Sequence, residues 1–226
     1  MRQLLLSTLL ICLVASACKG PAGPVDPVDS FDRKAMLRNY ATALIRPAIG
    51  QMKAKTDSLY LRAAAFGAAP TEANLLRVQE AWKEAALTFQ AANAYNFGPG
   101  EGTYATLVQN ISTFPIDAAQ TEAYIAAGDY SLANFRRDTR GLMGMDYLLF
   151  DLSGEAAPVL ARYQGEAGQK RSSYLLALAA DVQVHVNQVH KDWETYEADF
   201  ITHDGTDAGS SASELYNHFV QSHESL

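Results

Sequence analysis

Cysteine is nearly absent. The chain has two, Cys12 and Cys18, both within the first eighteen residues. No internal disulfide framework can therefore hold the rest of the fold. Positive charge is also scarce: 18 Lys and Arg stand against 25 Asp and Glu, for a formal net charge of −7. This balance excludes a non-specific nucleic-acid binder, which needs a cationic face to neutralise phosphates. It leaves cation binding open. Sustained alternation of apolar and polar residues is missing, so strands are not expected. No HExxH zinc signature and no GxSxG elbow occurs, and no thiol lies beyond position 18. GPGEG at 98–102 is glycine-rich but lacks the Gly-Lys-Ser/Thr ending of a phosphate-binding loop, so it reads as a helix-ending turn. With 226 residues, 48% of them apolar, the chain has ample material for a core and no disordered or collagenous bias.

What is present begins with an address. Arg2 supplies a positive start, and Leu4 to Val14 form an apolar run too short to cross a bilayer. Ala15-Ser16-Ala17-Cys18 resembles a bacterial lipobox, which is lipidated on its cysteine and cut just before it. An ordinary signal peptide cleaved nearby is the alternative. The expected organisation is a signal peptide at 1–17, a lipid-anchor Cys18 with a tether at 18–30, and a folded domain at 31–226. Pro21, Pro24 and Pro27 recur every third residue and make the tether extended. Lys19 follows the cysteine where an Asp would favour inner-membrane retention. The expected location is therefore the periplasmic face of the outer membrane, with the membrane itself as one partner.

From Phe31 onward the periodicity is helical. One pattern runs from Phe31 to about Phe66 and should kink or restart at Pro47. Thr71 caps a second pattern that runs to Phe97. Shorter helices are expected over 103–112, from Asp117 to about Ala127, and over 139–150. The longest runs from Arg171 to about Ile201, with Tyr174, Leu175, Leu178, Val182, Val186, Val189 and Trp193 on one side. A last helix opens at Ser213. Its Leu215, Phe219 and Leu226 should pack on something further along the chain. The fold class is all-α, an antiparallel helical bundle.

Histidines offer little. His185 and His190 are five apart, about 140° around a helix, and cannot share a metal on that helix alone. His190, Glu194 and Glu197 share one face and read as a solvated, partly paired row. His218 and His223 repeat the spacing of five.

The informative stretch is Arg140-Gly141-Leu142-Met143-Gly144-Met145-Asp146-Tyr147-Leu148-Leu149-Phe150. It resembles the GxHxxE motif of the imelysin family. These peptidase-M75-like envelope proteins include insulin-cleaving membrane proteases and periplasmic iron-uptake lipoproteins. Gly141 matches the glycine and 147–150 the apolar tail. Met143 stands at the histidine position and Asp146 at the glutamate position. Residues 78–99 resemble the family's Trp-containing helix, here with Trp82. Phe114-Pro115-Ile116-Asp117 resembles its Trp-Pro-x-Asp segment, and 213–226 the helix that opens its second half. The resemblance implies two bundle-like halves, the second largely missing from this sequence. It also implies a binding region at Gly141, Met143, Asp146, Arg140, Asp117 and Trp82.

The departures bear on the chemistry. His and Glu at i and i+3 can grip one cation from one side of a helix. A thioether suits Cu(I) better than Zn(II) or Fe(III), and aspartate reaches less far than glutamate. Gly144 between them weakens the helix by about 1 kcal/mol relative to alanine. A metal ion, iron or zinc, is expected to be held weakly at Asp146 if at all. Met143 and Met145 otherwise read as core, and Trp82 likewise. Asp117 reads as an N-cap, and Asp146 as a carboxylate paired with Arg140 or a helix N-terminus. The leading expectation is a non-catalytic envelope binding protein linked to iron or other metal acquisition, with envelope transport proteins as partners. A scaffold or docking lipoprotein is the alternative. An M75-type metallopeptidase has least support, because nothing in the altered motif is poised to activate water.

Overall fold

The computed structural model describes residues 31–101, 106–132 and 135–224, and Arg33–Leu226 forms a unit of its own. The signal, Cys18 and the tether lie outside the described residues. Among those residues every regular element is helical and no strand occurs.

Helix α1 (Arg33–Asn39) passes into a π-helical turn (Tyr40–Ile45) and on into α2 (Arg46–Ala68). Pro47 supplies the reason. It has no N–H to return to the preceding turn, and the Arg46 N–H reaches back five residues to the Ala41 carbonyl. The expected kink is thus taken up by widening one turn. Thr71 caps α3 (Glu72–Ala92), accepting the Asn74 N–H at 3.3 Å. Helix α3 stops five residues short of the expected Phe97. The chain turns there so that Phe97 enters the core, its ring 5.6 Å from Trp193 and 5.7 Å from Phe200.

The short α4 (Leu107–Ile111) is narrower than 103–112 because Thr106 and Gln109 form a reciprocal capping box at its start. Asp117 caps α5 (Ala118–Ala127), and Gly128 ends it in the left-handed region. Then come α6 (Gly141–Leu149), α7 (Ala156–Ala161), α8 (Gly165–Thr202) and α9 (Ser211–Glu224). Helix α8 begins six residues before the expected Arg171. Gly168 is needed there, since a Cβ would lie 2.1 Å from the Tyr163 backbone.

Helix α2 packs against both α3 and α8, and α6 lies against both α3 and α8. The α8 stripe from Tyr174 to Trp193 is buried, as its periodicity required. Each Leu or Val so buried contributes about 1.5–3 kcal/mol. Leu215 is buried too, and Phe219 lies 6.1 Å from the rings of both Tyr40 and Tyr95. The Tyr196 hydroxyl donates to Glu214 at 2.9 Å. These two apolar residues of α9 therefore pack on the bundle.

Candidate functional site

Arg140 is extended and Gly141 opens α6 at φ +73°. A Cβ on Gly141 would lie 2.5 Å from the Ile111 carbonyl oxygen, so the motif's glycine answers a backbone demand. Gly144 answers a packing demand. A Cβ there would meet Leu178 Cδ1 at 3.1 Å and the Thr139 carbonyl oxygen at 3.2 Å. Its role is the close approach of α6 to α8, not the loosening of a site that helix propensity alone suggests.

Leu142, Met145, Leu148 and Leu149 face the core. Met143, Asp146, Tyr147 and Phe150 fall at i, i+3, i+4 and i+7 and form the half-buried face of α6 and its cap. Trp82 of α3 borders this face. Its indole N–H donates to the Leu142 carbonyl at 2.8 Å, and its ring lies 5.1 Å edge-on from Phe150. Gln79 donates to the Leu149 carbonyl at 2.6 Å and satisfies one of the helix-end acceptors.

Asp146 has no hydrogen-bond or ion-pair partner among the described residues, and burial pushes its carboxyl above the usual range. The expected pairing with Arg140 does not form. Arg140 is buried, donates to the Leu132 carbonyl at 2.8 Å and to Asn110 Oδ1, and lies 3.9 Å from Asp181 Oδ2. Burial pulls its pKa down, and Asp181 offsets part of that. Asp117 is exposed and spends its carboxylate on the Gln120 N–H at 2.8 Å. The expected site residues thus serve separate local tasks: Trp82 beside Asp146's face, Arg140 beneath α6, Asp117 at the start of α5.

Among the described residues no group of three or more His, Cys, Asp and Glu side chains is gathered to hold a metal ion. The motif position offers one thioether and one carboxylate that burial biases towards its neutral form. These residues do not fit an iron or zinc centre. The histidines follow the sequence reading: His190 lies 3.9 Å from Glu194, and Arg46 spans Glu194 and Glu197 at 3.7 Å each. His185 instead lies 3.5 Å from Asp181.

A polar knot beside α6 was not anticipated. Arg171 of α8, buried to 7% exposure, holds both oxygens of Glu122 of α5 at 2.5 and 2.6 Å. The Tyr147 hydroxyl donates to the same carboxylate at 2.8 Å. Burial pushes the Glu122 carboxyl up, but these donors outweigh it and hold it below the usual range. A signal existed. Arg171 lies three residues before Tyr174 and four before Leu175, on the apolar stripe, where an arginine demands a partner.

The imelysin (peptidase M75) family model matches residues 45–226. The chain belongs to the imelysin family. Two solved structures share its fold. One is a candidate iron-regulated protein A precursor from Parabacteroides distasonis, at 17% identity and TM-score 0.64. The other is an imelysin-like protein from Psychrobacter arcticum, also at 17% identity and TM-score 0.64. The alignments cover 84% and 85% of this chain but 54% and 60% of those chains. No curated protein matches it in sequence. Among the described residues no helix of this imelysin chain is long and apolar enough to cross a membrane.

Proposed function

We propose that this imelysin-family chain is a non-catalytic lipoprotein of the cell envelope that binds a ligand in the service of iron or other metal acquisition. One observation carries the non-catalytic part. The motif's histidine and glutamate positions hold Met143 and an unpartnered Asp146, a donor set unable to position a metal-bound water. The leader and the Ala-Ser-Ala-Cys18 border support the anchor. The name of the Parabacteroides protein, iron-regulated, supports the link to iron. A second reading, a scaffold or docking lipoprotein without ligand, is favoured by the separation of Asp146, Arg140 and Asp117 into unrelated local roles.

Metal titration with elemental analysis tests the proposal. The native chain is expected to melt at nearly the same temperature with and without Zn(II) or Fe(III). The double change Met143→His, Asp146→Glu should gain a metal-dependent shift, about 2.7 kcal/mol at a hundredfold excess over Kd. Metal-dependent cleavage of an unfolded protein overturns the non-catalytic reading, and a large shift in the native chain shows that its metal ligands lie away from Met143 and Asp146. No shift in either protein favours the scaffold. Cys18→Ser should release the protein from membranes, and unchanged partition into detergent rules out the anchor.

A further inference from the structure

We propose that the groove between α5 and the start of α8 binds a small organic oxyanion, one that carries a carboxylate or phosphate group on a short apolar body. The inference stands independently of the role proposed above and of the metal position in α6.

The groove measures about 610 Å³, within the range of small-molecule sites. Its charge runs against that of the chain. Arg162, Lys170 and Arg171 line it against Glu122 and Glu166, in a protein of net charge −7. The donors are only partly spent. Arg171 uses Nη2 on Glu122, and its Nη1 is buried with no hydrogen-bond partner. Arg162 gives Nη2 to Asp151 at 2.6 Å and keeps its remaining N–H groups. Lys170 gives one hydrogen to the Ala126 carbonyl at 3.0 Å and lies 4.0 Å from Glu166, whose side chain is 87% exposed and free to swing away.

The backbone adds to this. Helix α8 is 38 residues long, and Gln164 makes no side-chain cap at its start. The first intrahelical bond runs from the Gly168 N–H to the Gln164 carbonyl at 3.1 Å, so the amides of 165–167 precede it. These amides form the positive end of the helix dipole, beside Glu166 and Ala167 of the groove wall. Ile125, Ala126 and Ala167 supply an apolar floor, and the space far exceeds what a bare inorganic anion fills. An oxyanion headgroup therefore fits between Arg162, Lys170 and the α8 amides, with its body on that floor.

Calorimetric titration of the purified full chain at low salt tests this, with inorganic phosphate, hexyl phosphate, hexanoate and hexanol as probes. Hexyl phosphate or hexanoate should bind, at least about tenfold tighter than inorganic phosphate, and hexanol should not. The tighter of the two names the headgroup. Arg162→Gln with Lys170→Gln should weaken that binding at least about tenfold, and Glu166→Gln should strengthen it. Arg171 is left in place because it is part of the core, and circular dichroism confirms that each variant is folded. No binding up to about 10 mM overturns the proposal, as does equal binding of hexanol or unchanged affinity in the double variant. Equal affinity for inorganic and hexyl phosphate overturns the apolar part.

Discussion

Gly141 and Gly154 share φ +73° but differ in surroundings, and this pair isolates what the motif's glycine does. A Cβ on Gly154 meets nothing within 4 Å. A Cβ on Gly141 meets the carbonyl oxygen and carbon of Ile111 at 2.5 and 2.6 Å, backbone atoms that cannot rotate away. Both changes to alanine carry the left-handed penalty, about 1–2 kcal/mol. Both restrict the unfolded chain equally, so that contribution cancels in the comparison. Only Gly141→Ala must also push α6 off α4, an overpacking cost of about 1–3 kcal/mol. Gly154→Ala should thus cost about 1–2 kcal/mol and Gly141→Ala about 2–5 kcal/mol. For a unit of this size each kcal/mol lowers Tm by about 2–4 °C. The two variants should therefore melt about 2–12 °C apart, Gly141→Ala lower. Thermal unfolding followed at 222 nm reads the difference. Equal melting temperatures would refute the reasoning, and the motif's glycine would then need an explanation other than α4.

Asp146→Asn should raise Tm at pH 7, because burial penalises only the ionised carboxylate. Its folded pKa is raised, so the native carboxylate is a burden above that pKa. The advantage of Asn should vanish in acid, and a variant less stable than native at pH 7 would show that Asp146 holds a hidden partner. Glu122 behaves oppositely. Its folded pKa is lowered, so the stability it adds is present above the ordinary carboxylate range and is lost as pH falls through the folded value. At pH 7, Glu122→Gln should cost about 2–3 kcal/mol, because it strands the nearly buried Arg171. Arg171→Met should cost less, since Glu122 is 41% exposed and can hydrate. Denaturant titration ranks the two, and the reverse order contradicts the assignment of burial.

The helices were largely legible in the sequence because their causes are local. The stripe from Tyr174 to Trp193, the Thr71 and Asp117 caps and the disruption at Pro47 each follow from residues within a few positions of one another. The imelysin resemblance was legible for the same reason, as a pattern along one short helix. Boundaries failed where a distant surface intervened. Helix α3 ends early to put Phe97 beside Trp193 and Phe200, and the early first turn of α8 packs Gly168 against the Tyr163 backbone.

The candidate site was less legible. That Met143 and Asp146 share a face is a consequence of helical spacing, and the sequence alone determined it. Whether anything meets them there depends on which helices lie alongside and in what register. Arg140 turned to Asn110 and Asp181 instead of Asp146, and Arg171 found Glu122 across 49 residues. Such pairings arise only when helices dock, since the cost of a buried charge is settled by whichever partner the packed bundle brings within reach. Composition, periodicity and motif thus determined an all-α imelysin-family chain with Met143 and Asp146 at the motif's histidine and glutamate positions. Tertiary packing decided that these positions stand alone, and that the unspent donors lie beside the start of α8.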